Sequence, residues 1–195
     1  MDYLEQSRIN IQKAEAVISE SGIAEICKAA GCEVRLVGSL RMGLLAKHRD
    51  IDLHVYSSGI TVKSSFAMIA EITENKNVVS LTCENGLHTD ERCVSWHILY
   101  RSGDDEIWQF DIIHIEQGSR YDGYFERMAD RIVERLSEEQ RETILRLKFE
   151  TPEDRDFHGV EYYQSVLEGG VSTLEELQTW IAHHRANPPQ EYWMP

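Results

Sequence analysis

The spacing of apolar residues along this 195-residue chain changes several times, and each change marks a new element. Residues 2–20 repeat at helical spacing, with Leu4, Ile11, Ala14 and Ile18 on one face and Gly22 placed to end the helix. A shorter helix turns Ile23, Ile26, Cys27 and Ala30 inward and stops at Gly31. The period then falls to two. Glu33 to Val37 alternates as a strand and ends at Gly38-Ser39; a short helix over 40–46 leads into a second strand, Asp50 to Tyr56. Residues 64–74 suit a crossover helix, and strand-like runs follow at 78–83, 93–101 and 107–115. The last two flank Ser102-Gly-Asp-Asp105, a hairpin signal.

From about Tyr121 the pattern is helical to the end. Ser137-Glu-Glu-Gln140 and Ser172-Thr-Leu-Glu175 are capping-box patterns, and Thr151-Pro152 reads as an N-cap with proline in the first turn. Gly169-Gly170 separates two C-terminal helices. The expected class is α/β (α+β): a mixed-sheet core with N-terminal helices over 1–118, and a helical segment over 119–195. No repeat, low-complexity tract or long linker interrupts this plan.

Composition narrows the function. A chain 42% hydrophobic and 28% charged is expected to fold as a globule. No run approaches the roughly 20 apolar residues of a membrane span, and Met1-Asp-Tyr-Leu-Glu5 lacks a basic region ahead of an apolar one. A cytoplasmic location is therefore expected. Acidic residues outnumber Lys and Arg 34 to 20, a net charge of -14. That balance disfavours a long nucleic acid as partner, because phosphate backbones are gripped by basic faces. The four cysteines form no Cys-x-x-Cys pair and read as reduced thiols.

The candidate chemistry begins at Asp50 and Asp52. Two apart on a strand, they share a face, with Ile51 and Leu53 turned to the core behind them. Carboxylates roughly 7 Å apart on one face repel and favour a counter-charge, and hard oxygen ligands suit Mg²⁺ or Mn²⁺. Alone, the pair also fits a solvated strand face. Gly38-Ser39 sits where a strand gives way to a helix, a place for an anion, with glycine permitting close approach and serine adding a donor. Asp111 lies in the middle of the apolar run 108–115 and needs a partner unless that position faces solvent.

Gly38-Ser39, a ten-residue gap, Asp50-Ile-Asp-Leu53 and a later strand aspartate together resemble the nucleotidyltransferase superfamily related to DNA polymerase beta. The match covers about residues 33–115. It implies that Asp50, Asp52 and Asp111 are both catalytic residues and metal ligands for Mg²⁺ or Mn²⁺. Gly38 and Ser39 would bind the outer phosphates of a nucleoside triphosphate, with ATP the first candidate. The polymerase branch carries a second arginine where this chain has Met42, so the triphosphate grip would come from Arg41, Lys47 or Arg49, or from Lys148. His54 extends the Asp50–Asp52 face or is a polar strand end. His97 and Glu84 could face an acceptor pocket. Tyr162-Tyr163 could stack a base or pack in the core, while His183-His184 diverge on their helix and the group of Trp180, Tyr192 and Trp193 reads as packing.

The implied activity is transfer of a nucleoside monophosphate from a nucleoside triphosphate to a hydroxyl of a small molecule or protein, releasing pyrophosphate. A non-catalytic or antitoxin-like partner module on the same fold is the alternative. A metal-dependent hydrolase using Asp50, Asp52 and His54 would show no nucleotide dependence.

Overall fold

Five short runs with period-two spacing assemble into one sheet in the computed structural model, which describes residues 1–189 and 192–195. Before the first strand come α1 (Tyr3–Ser21) and α2 (Ile23–Ala29). Then follow β1 (Glu33–Leu36), α3 (Gly38–Arg41), β2 (Asp50–Ser57), α4 (Val62–Thr73), β3 (Val78–Asn85), β4 (Cys93–Arg101) and β5 (Ile107–Glu116). The chain finishes with α5 (Tyr124–Arg135), α6 (Glu138–Glu150), α7 (Gly159–Leu167) and α8 (Leu174–Ala186). Spatial order in the sheet is β1-β2-β5-β4-β3, with β2 and β5 parallel and every other pair antiparallel.

Alternation gives the sheet two unlike faces. Ile51, Leu53, Trp96, Ile98, Phe110 and Ile112 meet α1, α2 and α4 in the main apolar core. The opposite face carries Asp50, Asp52, Asp111 and His97. Over that face the helical half forms its own core, in which Ile132, Ile144, Leu147, Tyr163 and Ile181 pack together. Met42 belongs to that second core and is 3% exposed. The position where the polymerase branch has an arginine is thus a packing position here.

Helix ends follow local chemistry where the caps are strong. Ser137 accepts from the Gln140 N–H at 3.1 Å while Gln140 Oε1 accepts from the Ser137 N–H, closing a capping box. The last box lies one residue later than expected, at Thr173 and Glu176, where Glu176 Oε2 collects the Ser172 and Thr173 N–H groups. Thr151 does not start a helix. It caps the C-terminus of α6: its hydroxyl is buried and donates to the Leu147 carbonyl at 2.7 Å, and α7 begins only at Gly159. The helix over 40–46 shortens to Gly38–Arg41, and Leu44, Leu45 and Ala46 are buried without helical pairing. In α1 the buried face is Ser7, Ala14, Val17 and Ser21, and Leu4 is 43% exposed. Among the described residues no helix is long and apolar enough to cross a membrane.

Candidate active site

Register brings the acids together. Parallel pairing sets Asp52 of β2 opposite Asp111 of β5, and antiparallel pairing sets Asp111 opposite His97 of β4. Asp50, Asp52, Asp111 and His97 consequently face one cavity of about 460 Å³, closed from the helical side by Lys148 and Tyr163. The turn before α3 closes another side. Gly38 adopts φ +67°, and a Cβ there would fall 1.8 Å from Asp52 Oδ2, so only glycine lets the turn lie against that carboxylate. The Val37 N–H donates to the Asp52 carbonyl at 3.0 Å and ties the turn to β2.

The carboxylates differ in their surroundings. Asp111 Oδ1 lies 2.5 Å from His97 Nδ1, and Gln109 Nε2 donates to both Asp111 oxygens at 2.9 and 3.1 Å. Asp50 and Asp52 accept no side-chain hydrogen bond among the described residues. Burial, then the charge of Asp111, raises the Asp50 carboxyl above its ordinary value. Burial, then the charges of Asp111 and Asp50, pushes Asp52 up to about 7, against the pull of Lys148. Lys148 is pushed down to about 8 by burial, opposed by Asp52 and Asp50. Both shifts favour the neutral form, so burial outweighs the attraction between the two groups. Lys148 Nζ donates to the Leu44 carbonyl at 2.9 Å.

Two carboxylates without partners beside a third are an oxygen donor set that a divalent cation would relieve. Among the described residues no group of three or more His, Cys, Asp or Glu side chains stands where it could hold a metal ion by itself.

No protein-family model matches the chain, and no curated protein matches it. Solved structures do. The chain is similar to the non canonical poly(A) polymerase complex GLD-2–GLD-3, with TM-score 0.55 and 12% identity over 97% of this chain and 61% of that one. It is similar to Cid1 in complex with the UTP analog UMPNPP, with TM-score 0.55 and 15% identity over 81% of this chain and 48% of that one. The Cid1 poly(U) polymerase with MgGTP bound gives 0.53 and 15% over 85% and 49%. The chain has the fold of the polymerase beta-like nucleotidyltransferase superfamily. It spans 40–61% of the length of these and related structures, and at this identity the likeness is one of fold.

Within this nucleotidyltransferase fold, Gly38, Ser39, Asp50, Asp52 and Asp111 line the cavity, whereas Arg41 and Lys47 do not. Arg41 donates to Asp130 of α5 at 2.6 Å and to the Leu36 carbonyl at 3.3 Å. Lys47 is held by the Thr151 carbonyl and by Glu153, the latter at 3.0 Å. Arg49 pairs with Glu106 at 2.9 Å. The cations that reach the cavity are Lys148 and Arg155. Arg155 and Phe157 lie in the irregular segment after α6, which carries no periodic signal. His97 gains its contact through strand register, which residue type alone does not set. Tyr162 and Tyr163 are buried in the helical core and also line the cavity. Glu84 stays exposed on β3, and His184 stacks on Trp180 with ring centroids 4.5 Å apart.

Proposed function

We propose that this chain transfers a nucleoside monophosphate from a nucleoside triphosphate to a hydroxyl of a small molecule or protein and releases pyrophosphate. The observation that carries the reading is the register: Asp52 and Asp111 stand side by side, with Asp50 two residues away and the Gly38 turn packed on Asp52. In this reading the Ser39 hydroxyl and turn N–H groups bind the outer phosphates, and Lys148 and Arg155 supply charge on the helical side. Asp50, Asp52 and Asp111 would hold Mg²⁺ or Mn²⁺, which when bound neutralises phosphate charge and polarises oxygens at the α-phosphate. The acceptor oxygen bonds to the α-phosphorus, the bond to the bridging oxygen breaks, and pyrophosphate departs. Asp111, oriented by His97 and Gln109, lies where it can take the hydroxyl proton. The relatives' structures hold a UTP analog and MgGTP, which supports a nucleoside triphosphate with metal and leaves the base open beside ATP.

The same reading places the protein in the cytoplasm. It assigns the three acids and the Gly38-Ser39 turn to residues 1–118, with the helical segment closing the cavity through Lys148, Arg155 and Tyr163. The charge of -14 supports a small or protein acceptor over a long nucleic acid, although the similar structures are those of poly(A) and poly(U) polymerases. A partner module without turnover draws on one observation: Arg41 and Lys47 are engaged in ion pairs outside the cavity. Pyrophosphate release from each of the four triphosphates with Mg²⁺, against metabolite and protein acceptors, decides between them. Release in no combination, from protein that melts cooperatively, favours the partner module.

A further inference from the structure

A second cavity, of about 320 Å³, continues the same sheet face away from the acids. Asp111 is followed on that face by Ile113 and Ile115, one two-residue step being roughly 7 Å. Ile113, His54 and Phe125 line both cavities, so the two adjoin. Its walls are aromatic. Tyr121, Phe125 and Tyr192 stand with ring centroids 5.5–6.0 Å apart, and Phe125 meets His54 edge-on at 5.4 Å.

The two cavities differ in their charged lining. The first holds Asp50, Asp52 and Asp111 together with Lys148 and Arg155. The second has no lysine or arginine in its lining among the described residues, and Glu91 stands in it, accepting from the Tyr192 hydroxyl at 3.4 Å. Glu84 of β3 pairs with Ser95 of β4 in register, which puts a second carboxylate beside this cavity on the same face. The Cys93 thiol, in the lining, is raised above its ordinary value by burial first, and the charges of Glu91 and Glu84 add to that. Arg120, outside the lining, lies 5.6 Å over the Tyr121 ring. The net charge of -14 raises the local concentration of cations further.

We propose that this second cavity is the acceptor site and that it takes a small ring-bearing amine, its ring against Tyr121, Phe125 and Tyr192 and its ammonium toward Glu91. The assignment rests on the proposed nucleotidyl transfer in the first cavity. A ring seated here directs a hydroxyl past His54 toward Asp111. That oxygen bonds to the α-phosphorus, pyrophosphate leaves, and the hydroxyl proton passes to Asp111.

Three probes of one shape and different charge test the cavity: tyramine (cation), tyrosol (neutral) and 4-hydroxyphenylacetate (anion). Each is titrated calorimetrically into the whole chain, and Mg²⁺–ATP and Mg²⁺–UTP are titrated separately. Tyramine is expected to bind at least tenfold tighter than 4-hydroxyphenylacetate, with tyrosol between. Glu91→Gln should bring tyramine to the level of tyrosol, and Tyr121→Leu should weaken tyramine about tenfold, both variants melting like the parent. No tyramine binding, equal binding of all three, or a preference that survives Glu91→Gln overturns the assignment. Nucleotide binding without amine preference removes the acceptor site and leaves the catalytic reading. Amine preference without nucleotide binding removes the catalytic reading and leaves an amine site.

Discussion

Gly38→Ala probes the link between the phosphate turn and the acids. A Cβ at Gly38 would lie 1.8 Å from Asp52 Oδ2, 2.5 Å from its Cγ and 2.9 Å from its Cβ. Rotating the carboxylate cannot clear the last contact, so the turn or β2 must move. Two costs add. An L-residue in the left-handed region loses about 1–2 kcal/mol, and forced overpacking costs about 1–3 kcal/mol. The sum, about 2–5 kcal/mol, lowers Tm by roughly 5–15 °C for a chain of this size. Gly59 is an internal control: it has the same φ of +67°, and nothing lies within 4 Å of its Cβ position. Gly59→Ala therefore isolates backbone strain, and the difference between the two variants reports the contact with Asp52. Thermal unfolding and pyrophosphate release are measured on both. Gly38→Ala should melt lower than Gly59→Ala and lose at least a hundredfold in turnover, roughly 2.7 kcal/mol of barrier. Equal melting of the two variants, with near-parent turnover in Gly38→Ala, would refute the argument that the turn is built around Asp52.

Ser39→Ala removes one donor to a charged phosphate and should raise KM for the triphosphate about tenfold without lowering Tm, as read by initial rates and melting. Lys148→Met removes the cation whose charge acts on Asp52 and should weaken triphosphate binding at least tenfold in a direct titration. In metal-free buffer the folded Asp52 titrates near 7 against roughly 3.9 when unfolded, so the native state holds the extra proton in that window. Stability should fall as pH rises from about 4 to about 7; Asp52→Asn or added Mg²⁺ should flatten the fall, measured by chemical denaturation.

The start of β2 was legible because it alternates: Ile51, Leu53 and Val55 face one core while Asp50 and Asp52 face the other way. The local motif at Gly38-Ser39 and Asp50-Ile-Asp-Leu53 showed itself for the same reason, since its spacing reflects one turn and one strand. Contacts set by register or by irregular backbone were harder to see. His97 reaches Asp111 because β4 pairs beside β5, and Arg155 reaches the cavity from a segment without periodicity. Arg41 and Lys47 show the limit of reading charge by proximity in sequence. Both are near the motif, yet Asp130 and Glu153, distant in the chain, draw them elsewhere. Thr151-Pro152 carries a true capping chemistry, but the buried hydroxyl serves the helix before it.

If the paired acids carry out nucleotidyl transfer, Asp52→Asn should remove the activity and spare the fold. The substitution keeps the volume and strand position of a group that sits opposite Asp111 and against Gly38, and removes one charge. Pyrophosphate release with Mg²⁺ and triphosphate is measured beside thermal melting for the variant and the parent. The variant should melt at or above the parent in metal-free buffer, because a like-charge repulsion is gone, and should lose at least a thousandfold in rate, roughly 4 kcal/mol of barrier. A variant that melts normally and turns over near the parent rate would contradict nucleotidyl transfer by these acids.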